Sequence, residues 1–269
     1  MGSWHPHTGG IEMRLAGARV LITGASSGIG AATARAMAAA GARLVLSGRD
    51  RDRLAAVAAE TGGRALAGDL TTDLAGLAER AGPVDVLVGN AGCGWAGPFP
   101  AMPDGTVERL VAGNLTAPIL LTRSLLPAMI ERGRGHLVFV ASIAGAIGVR
   151  DEAVYAATKA GLLGFAESLR YESRGIGVSV VLPGVVETPF FERRGAPYTR
   201  RWPVPIPAER VAQAIVSAVE CGRPESYVPG WLRLPARLKG AAPGPFRALA
   251  GMFGGQPGLS RRPEPGSTP

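Results

Sequence analysis

The sequence predicts one α/β domain built on a doubly wound parallel sheet of about seven strands. Three observations carry this. Seven short apolar runs, at 18–24, 42–48, 64–70, 84–90, 136–142, 178–184 and 226–230, alternate with segments of helical period at 28–40, 51–60, 73–81, 106–132, 153–174 and 207–220. Most runs are rich in Val, Leu and Ile at consecutive positions, as strands covered on both faces must be. The 269 residues, 46% of them apolar, suffice for one such domain with a sizeable core. Strand–helix alternation with right-handed crossovers then places helices on both faces of the sheet.

Residues 1–15 contain Gly, His and Pro and read as a flexible lead; the domain is expected over 16–235. The first run leads into Thr23-Gly24-Ala25-Ser26-Ser27-Gly28-Ile29-Gly30 and an Ala-rich helix. Glycine suits this turn because the backbone must take angles other residues resist and must come close to a ligand. The helix N-terminus offers free N–H groups and partial positive charge to phosphates. A dinucleotide site for NAD places an acid at the end of the second strand; here that strand ends Ser47-Gly48-Arg49-Asp50, and a guanidinium suits the 2′-phosphate of NADP instead. Asp50 fits an N-cap of the next helix. Ser27 stands where a basic residue, just before Gly28, would have been a second phosphate ligand.

The third run ends Gly68-Asp69-Leu70 and the fourth Gly89-Asn90-Ala91-Gly92, either of which alone reads equally as a turn. Asn114 falls on the helix 106–132, where a lone Asn is ordinarily a surface or cap residue. Ser142 closes the fifth run, at the strand end where open α/β sheets bind ligands. The next helix opens with Tyr155-Ala156-Ala157-Thr158-Lys159, which puts Tyr155 and Lys159 on one face. A phenol of ordinary pKa ~10 needs a nearby cation to act as a base, and Lys159 is placed to provide it. Lysine occurs only at Lys159 and Lys239, although the chain has 29 Lys+Arg residues. The sixth run ends Pro183-Gly184, with Val186 and Thr188 just beyond.

These motifs, in this order and at these spacings, resemble the short-chain dehydrogenase/reductase family over roughly residues 15–230. The glycine spacing is the family's TGxxxGxG, not GxGxxG. Gly89, where the family's NNAG motif has its first Asn, is the one clear departure. The resemblance implies a Rossmann fold with strand order 3-2-1-4-5-6-7. It also implies hydride transfer between NADP(H), favoured over NAD(H), and a small-molecule carbonyl/alcohol pair. Tyr155 would be the acid/base, Lys159 its tuning cation and a contact of the nicotinamide ribose, and Ser142 the carbonyl's hydrogen-bond partner. Asn114 would hold a water that relays protons to the lysine. Gly24, Ser26, Ser27, Gly28, Ile29, Gly30 and Arg49 would cradle the phosphates. Asp69 would bind the adenine, Leu70, Asn90, Ala91 and Gly92 would also contact the cofactor, and Pro183, Gly184, Val186 and Thr188 would contact its nicotinamide end. Family members commonly pair through the helices spanning 106–132 and 153–174, so a homodimer or homotetramer is expected.

The substrate loop 187–207 holds Pro189, Pro197, Pro203, Pro205 and Pro207. Long loops of this kind are usually lids. Trp95, Phe190, Phe191, Tyr198 and Trp202 could make the pocket apolar. Arg193, Arg194, Arg200 and Arg201 could bind an anionic substrate, but the plainer expectation is that they are solvated. The tail, 236–269, is basic and rich in Gly and Pro, and from 240 on regular structure is expected only in short pieces, since Pro243 and Pro245, with Pro235 upstream, break any long amphipathic helix.

The net charge of +8 comes mostly from the stretch 231–269, so a nucleic-acid partner is not expected. A membrane-surface contact through the tail is a competing reading, as is a dinucleotide-binding sensor without turnover. Cys93 and Cys221 lie in no metal or disulfide spacing, and His5, His7 and His136 do not compose a zinc site. With no apolar run of spanning length and no charged-then-apolar start, the expected location is the cytoplasm.

Overall fold

The structure is a computed structural model, and it describes residues 11–199 and 201–253, with their side chains to residue 248. Among these residues seven parallel strands form one sheet in the order β3-β2-β1-β4-β5-β6-β7. They are β1 (Arg19–Thr23), β2 (Arg43–Gly48), β3 (Arg64–Ala67), β4 (Val86–Gly89), β5 (His136–Val140), β6 (Gly177–Pro183) and β7 (Glu225–Val228). The helices between them are α1 (Gly28–Ala39), α2 (Arg51–Thr61), α3 (Leu74–Ala81), α4 (Thr106–Val111), α5 (Ala117–Glu131), α6 (Ile143–Ala146), α7 (Ala153–Glu172), α8 (Phe190–Arg193) and α9 (Ala208–Glu220). The tail carries α10 (Arg233–Ala241) and α11 (Pro243–Phe253). The order reverses between β1 and β4, which opens a crevice at the carboxyl ends of these strands.

The period-2 geometry of the strands explains why consecutive apolar residues were needed. Val20, Ile22, Leu44, Leu46, Val86 and Val88 face α1, α2 and α9 in one core layer. The alternate residues Leu21, Val45, Leu87, Leu137 and Phe139 face α3, α5 and α7 in the other. Met13 and Leu15 are buried, and the Met13 N–H donates to the Val219 carbonyl at 3.0 Å, so the end of the lead packs on α9.

One expectation is corrected. The helix expected over 106–132 is divided by a π turn, Ala112–Thr116, because the apolar pattern that announces a helix does not register one extra residue in a turn. The described part of the tail carries two short helices, α10 and α11, with a break at Ala242 between them. Its prolines do not prevent this: Pro235, Pro243 and Pro245 each fall in the first three positions of a helix, where an N–H has no intrahelical partner to lose. The short helices α6 and α8 were also not foreseen. Arg200, residues 1–10 of the lead and the tail beyond Phe253 lie outside the described residues. Among the described residues no helix is long and apolar enough to cross a membrane.

Candidate functional site

The glycine turn after β1 leads directly into α1. Gly24 (φ +67°) and Gly28 (φ +54°) occupy the left-handed region that favours glycine. A Cβ at Gly24 would lie 2.9 Å from the Cα of Ala91, and one at Gly30 would strike the Gly24 carbonyl. The turn is thus a cradle of bare backbone around the α1 N-terminus. Ile29 packs against the core beneath it. The segment after β4 is stitched to this turn. Thr23 Oγ1 accepts from the N–H groups of Asn90 and Ala91, both at 3.0 Å, and Asn90 Nδ2 donates to the Thr23 carbonyl at 3.0 Å. Gly89 follows from packing: a Cβ there would sit 3.3 Å from the Phe139 ring, its register partner on β5.

At the end of β2, Arg49 is exposed and its Nη1 lies 4.0 Å from Asp69. The other Asp69 oxygen accepts from the Thr71 N–H (2.8 Å) and hydroxyl (2.7 Å). These bonds, with the lesser help of Arg49, hold the Asp69 carboxyl below the ordinary carboxylate range. Leu70 follows, half-buried against the α3 side of the core.

The catalytic candidates converge at the carboxyl ends of β4 and β5. Ser142 caps α6, its hydroxyl accepting from the Ala144 N–H at 3.1 Å. Lys159 is buried, its Nζ donating to the Val140 carbonyl at 2.9 Å and lying 5.8 Å from the centre of the Tyr155 ring. Burial brings the Lys159 pKa down to about 8. Burial pushes the Tyr155 phenol above its ordinary value, while the hydroxyl of Ser142 pulls it back; Glu152 raises it and Arg194 lowers it. Ser142 and Arg194 are thus the groups that lower the phenol in this structure.

Asn114 sits in the π turn and is buried. Its Oδ1 accepts from the Cys93 N–H and its Nδ2 donates to the Cys93 carbonyl, both at 2.8 Å. The side chain thereby pins the chain after β4. Its Oδ1 and the Lys159 Nζ lie 3.0 and 3.6 Å from the point a Cβ at Gly92 would take, so Gly92 leaves these two polar groups facing a common space.

Beyond β6, the Gly184 N–H donates to Val228 at 2.8 Å, and Val186 forms a parallel bridge with Ile206. The Glu187 and Ile206 N–H groups, donating to Ile206 and Val185 at 2.9 Å, close the loop 187–207 at its base. The loop folds back over the site. The Thr188 methyl lies 2.9 Å from a Cβ position at Gly28. The Phe190 ring centre lies 5.5 Å from that of Tyr155, and Phe191 and Tyr198 continue the aromatic row.

Of the arginines expected to be solvated, Arg194 is not, while Arg193 is exposed but bonded across the turn. Arg194 is buried, ion-paired with Glu152 and 4.5 Å from the Phe191 ring centre. Arg193 donates to Ser27 Oγ at 2.8 Å. Arg201 is exposed. Trp202 leaves the aromatic row and stacks on Trp231 at 5.1 Å. The pair walls a cavity of about 390 Å³ with Ile143, Val185, Ile206 and Leu232. Neither Glu152 nor Trp231 was singled out for the site by the sequence, because nothing in local spacing ties them to it.

The family model described as short chain dehydrogenase matches residues 18–198. The ketoacyl reductase HetN of Nostoc sp. is 41% identical over 186 residues, 64% of this chain and 64% of the relative; the chain thus spans just under two thirds of that protein's length. A short-chain dehydrogenase from Sphingobium yanoikuyae in complex with NADPH superimposes with a TM-score of 0.76 at 30% identity, covering 92% of this chain and all of that one. A 3-ketoacyl-(acyl-carrier-protein) reductase from Brucella melitensis complexed with NADH gives a TM-score of 0.73 at 28% identity, covering 80% of this chain and 97% of that one. With the matching sheet order and the bare-backbone cradle at its switch point, the chain belongs to the short-chain dehydrogenase/reductase family.

Proposed function

We propose that the protein is an oxidoreductase that interconverts a carbonyl and an alcohol with NADP(H) in preference to NAD(H), using Tyr155 as the proton donor or acceptor. The observation that carries this reading is the convergence of Tyr155, Ser142 and the buried Lys159 at the strand ends, beside a glycine turn of bare backbone. The fit to a dinucleotide rests on that cradle, on the α1 N-terminus and on the cation Arg49 at the end of β2. When bound, the cofactor supplies or accepts the hydride.

The chain's own groups handle the oxygen and its proton. Ser142 orients the carbonyl by donating a hydrogen bond to it. As negative charge develops on the oxygen, Tyr155 Oη gives up its proton there, and takes one back in the reverse direction. Lys159, with a pKa of about 8, can exchange a proton near neutral pH. A water between Lys159 Nζ and Asn114 Oδ1, in the space Gly92 leaves open, would connect it to solvent. The cavity beside Ile143 has apolar walls and suits a substrate whose carbonyl carries an apolar chain. The ketoacyl reductases among the relatives support a ketoacyl compound.

The test is NADPH-dependent reduction of a panel of ketones and ketoacyl thioesters by wild type, Tyr155→Phe and Arg49→Ala. Tyr155→Phe should lower turnover by about 10²–10⁴-fold while NADPH affinity stays within a few-fold. Arg49→Ala should weaken NADPH and spare NADH. Unchanged turnover in Tyr155→Phe would remove the phenol from the mechanism.

A further inference from the structure

The loop 187–207 reaches the glycine turn through Arg193. Ser27 caps α1 in extended backbone, yet its side chain makes no cap bond to the helix. Its hydroxyl is taken instead by Arg193 Nη2, 2.8 Å away and 166 residues on in sequence. The guanidinium is aimed by a second bond, from Nε to the Pro189 carbonyl at 3.2 Å. No acidic partner within ion-pair distance of Arg193 occurs among the described residues. The approach is built into the lid, since Thr188 lies against Gly28 in the same turn. On the other side of the turn, Ser26 Oγ lies 3.3 Å from a Cβ position at Gly48, the residue before Arg49.

We propose that Arg193 is a phosphate ligand of the bound dinucleotide, a deduction that rests on the cofactor reading above. Arg193 places in space the positive charge that the sequence lacks just before Gly28. A guanidinium has five N–H donors, and the bonds to Ser27 and Pro189 use two, leaving a fork able to hold phosphate oxygens. The lid and the cofactor are then linked: phosphate fixes Arg193, and Arg193 fixes α8 beside Tyr155. By reciprocity, whatever orders the lid tightens the cofactor.

The experiment measures NADPH and NADH dissociation constants, by nucleotide fluorescence, for the full chain as wild type, R193A and R193A/S27R. Loss of one charge-assisted phosphate contact should weaken R193A by about 10- to 100-fold. An NADPH-selective loss assigns the 2′-phosphate, and an equal loss of both cofactors assigns the pyrophosphate. S27R in the R193A background should recover most of the loss, because it restores a cation at the same point without repairing any lid packing. Unchanged affinity in R193A, or a loss that S27R does not mend, would overturn the assignment. Wild type that binds neither cofactor would overturn the oxidoreductase reading itself. Wild type that binds NADPH with R193A unaffected removes only Arg193.

Discussion

Lys159 shows how a single residue can serve a site at the expense of the fold. Its ammonium is buried with one hydrogen bond, to Val140, and burial lowers its pKa from 10.5 to about 8. A base with a depressed pKa in the folded state favours folding above its unfolded pKa, and that contribution is lost as pH falls through about 8. At pH 7 the buried charge therefore costs the cofactor-free protein up to about 3 kcal/mol relative to strongly alkaline solution. Lys159→Met should remove that cost while leaving the Val140 carbonyl without its donor, for a net gain of about 1–2 kcal/mol. Thermal unfolding without cofactor should show the variant melting a few degrees higher at pH 7. The advantage should shrink as pH rises from 8 towards 10.5. A variant that melts lower at pH 7, or a difference independent of pH, would place the cost elsewhere. The position of Lys159 is readable in the sequence because Tyr155 and Lys159 lie one helical turn apart. Its partner Val140 is not, since that contact depends on how α7 crosses the end of β5.

The lid is an element whose closure depends on pairs distant in sequence. Its base is zipped by Val186 and Ile206, and its tip is held to the α7 N-terminus by the Arg194–Glu152 ion pair. Arg194 also covers the Phe191 ring, and a Cβ at Gly94 would lie 3.1 Å from the Arg194 Cβ. Arg194→Ala should loosen this element, and two measurements follow it. Amide exchange over the lid should speed up while the sheet stays protected. The pH profile of turnover should also shift, since Arg194 lowers the Tyr155 phenol: without that cation the phenol rises further and the limb it controls moves to higher pH. Unchanged exchange and an unchanged profile together would show that Arg194 neither holds the lid nor acts on Tyr155. The sequence marks this loop by its prolines and arginines but gives no means of sorting the arginines. Arg194 finds Glu152 42 residues away and Arg193 finds Ser27 across the whole domain, and no local period encodes either meeting. The glycine turn was legible for the opposite reason, because its demands are made by the backbone of adjacent residues.

At the scale of the whole molecule, the sheet separates chemistry from stability. The strand ends that carry Ser142, Asn90 and Gly184 face the site. The amino end of β5 instead carries His136, buried among the crossovers, with Nε2 2.8 Å from Ser179 Oγ on β6. A Cβ at Gly177 would strike this ring, so the neighbouring strand gives way to it. The seven strands follow from alternation, and their order from the family resemblance, which is why the sheet was legible in the sequence. A histidine inside a Val/Leu run says nothing by itself about its burial. Burial lowers the His136 pKa from 6.5 to about 4. A base depressed in this way contributes stability that is full above pH 6.5 and lost as pH falls through about 4, a span worth about 3 kcal/mol. The protein should therefore lose stability across this window more steeply than a His136→Gln variant, whose side chain can keep a bond to Ser179 but carries no titrating group. The variant should melt lower than wild type at pH 7 and approach or overtake it near pH 4. Parallel acid limbs for the two proteins would shift the cause to the carboxylates. Converging limbs would identify the closed end of the sheet, far from the site, as the point where acid first opens the fold.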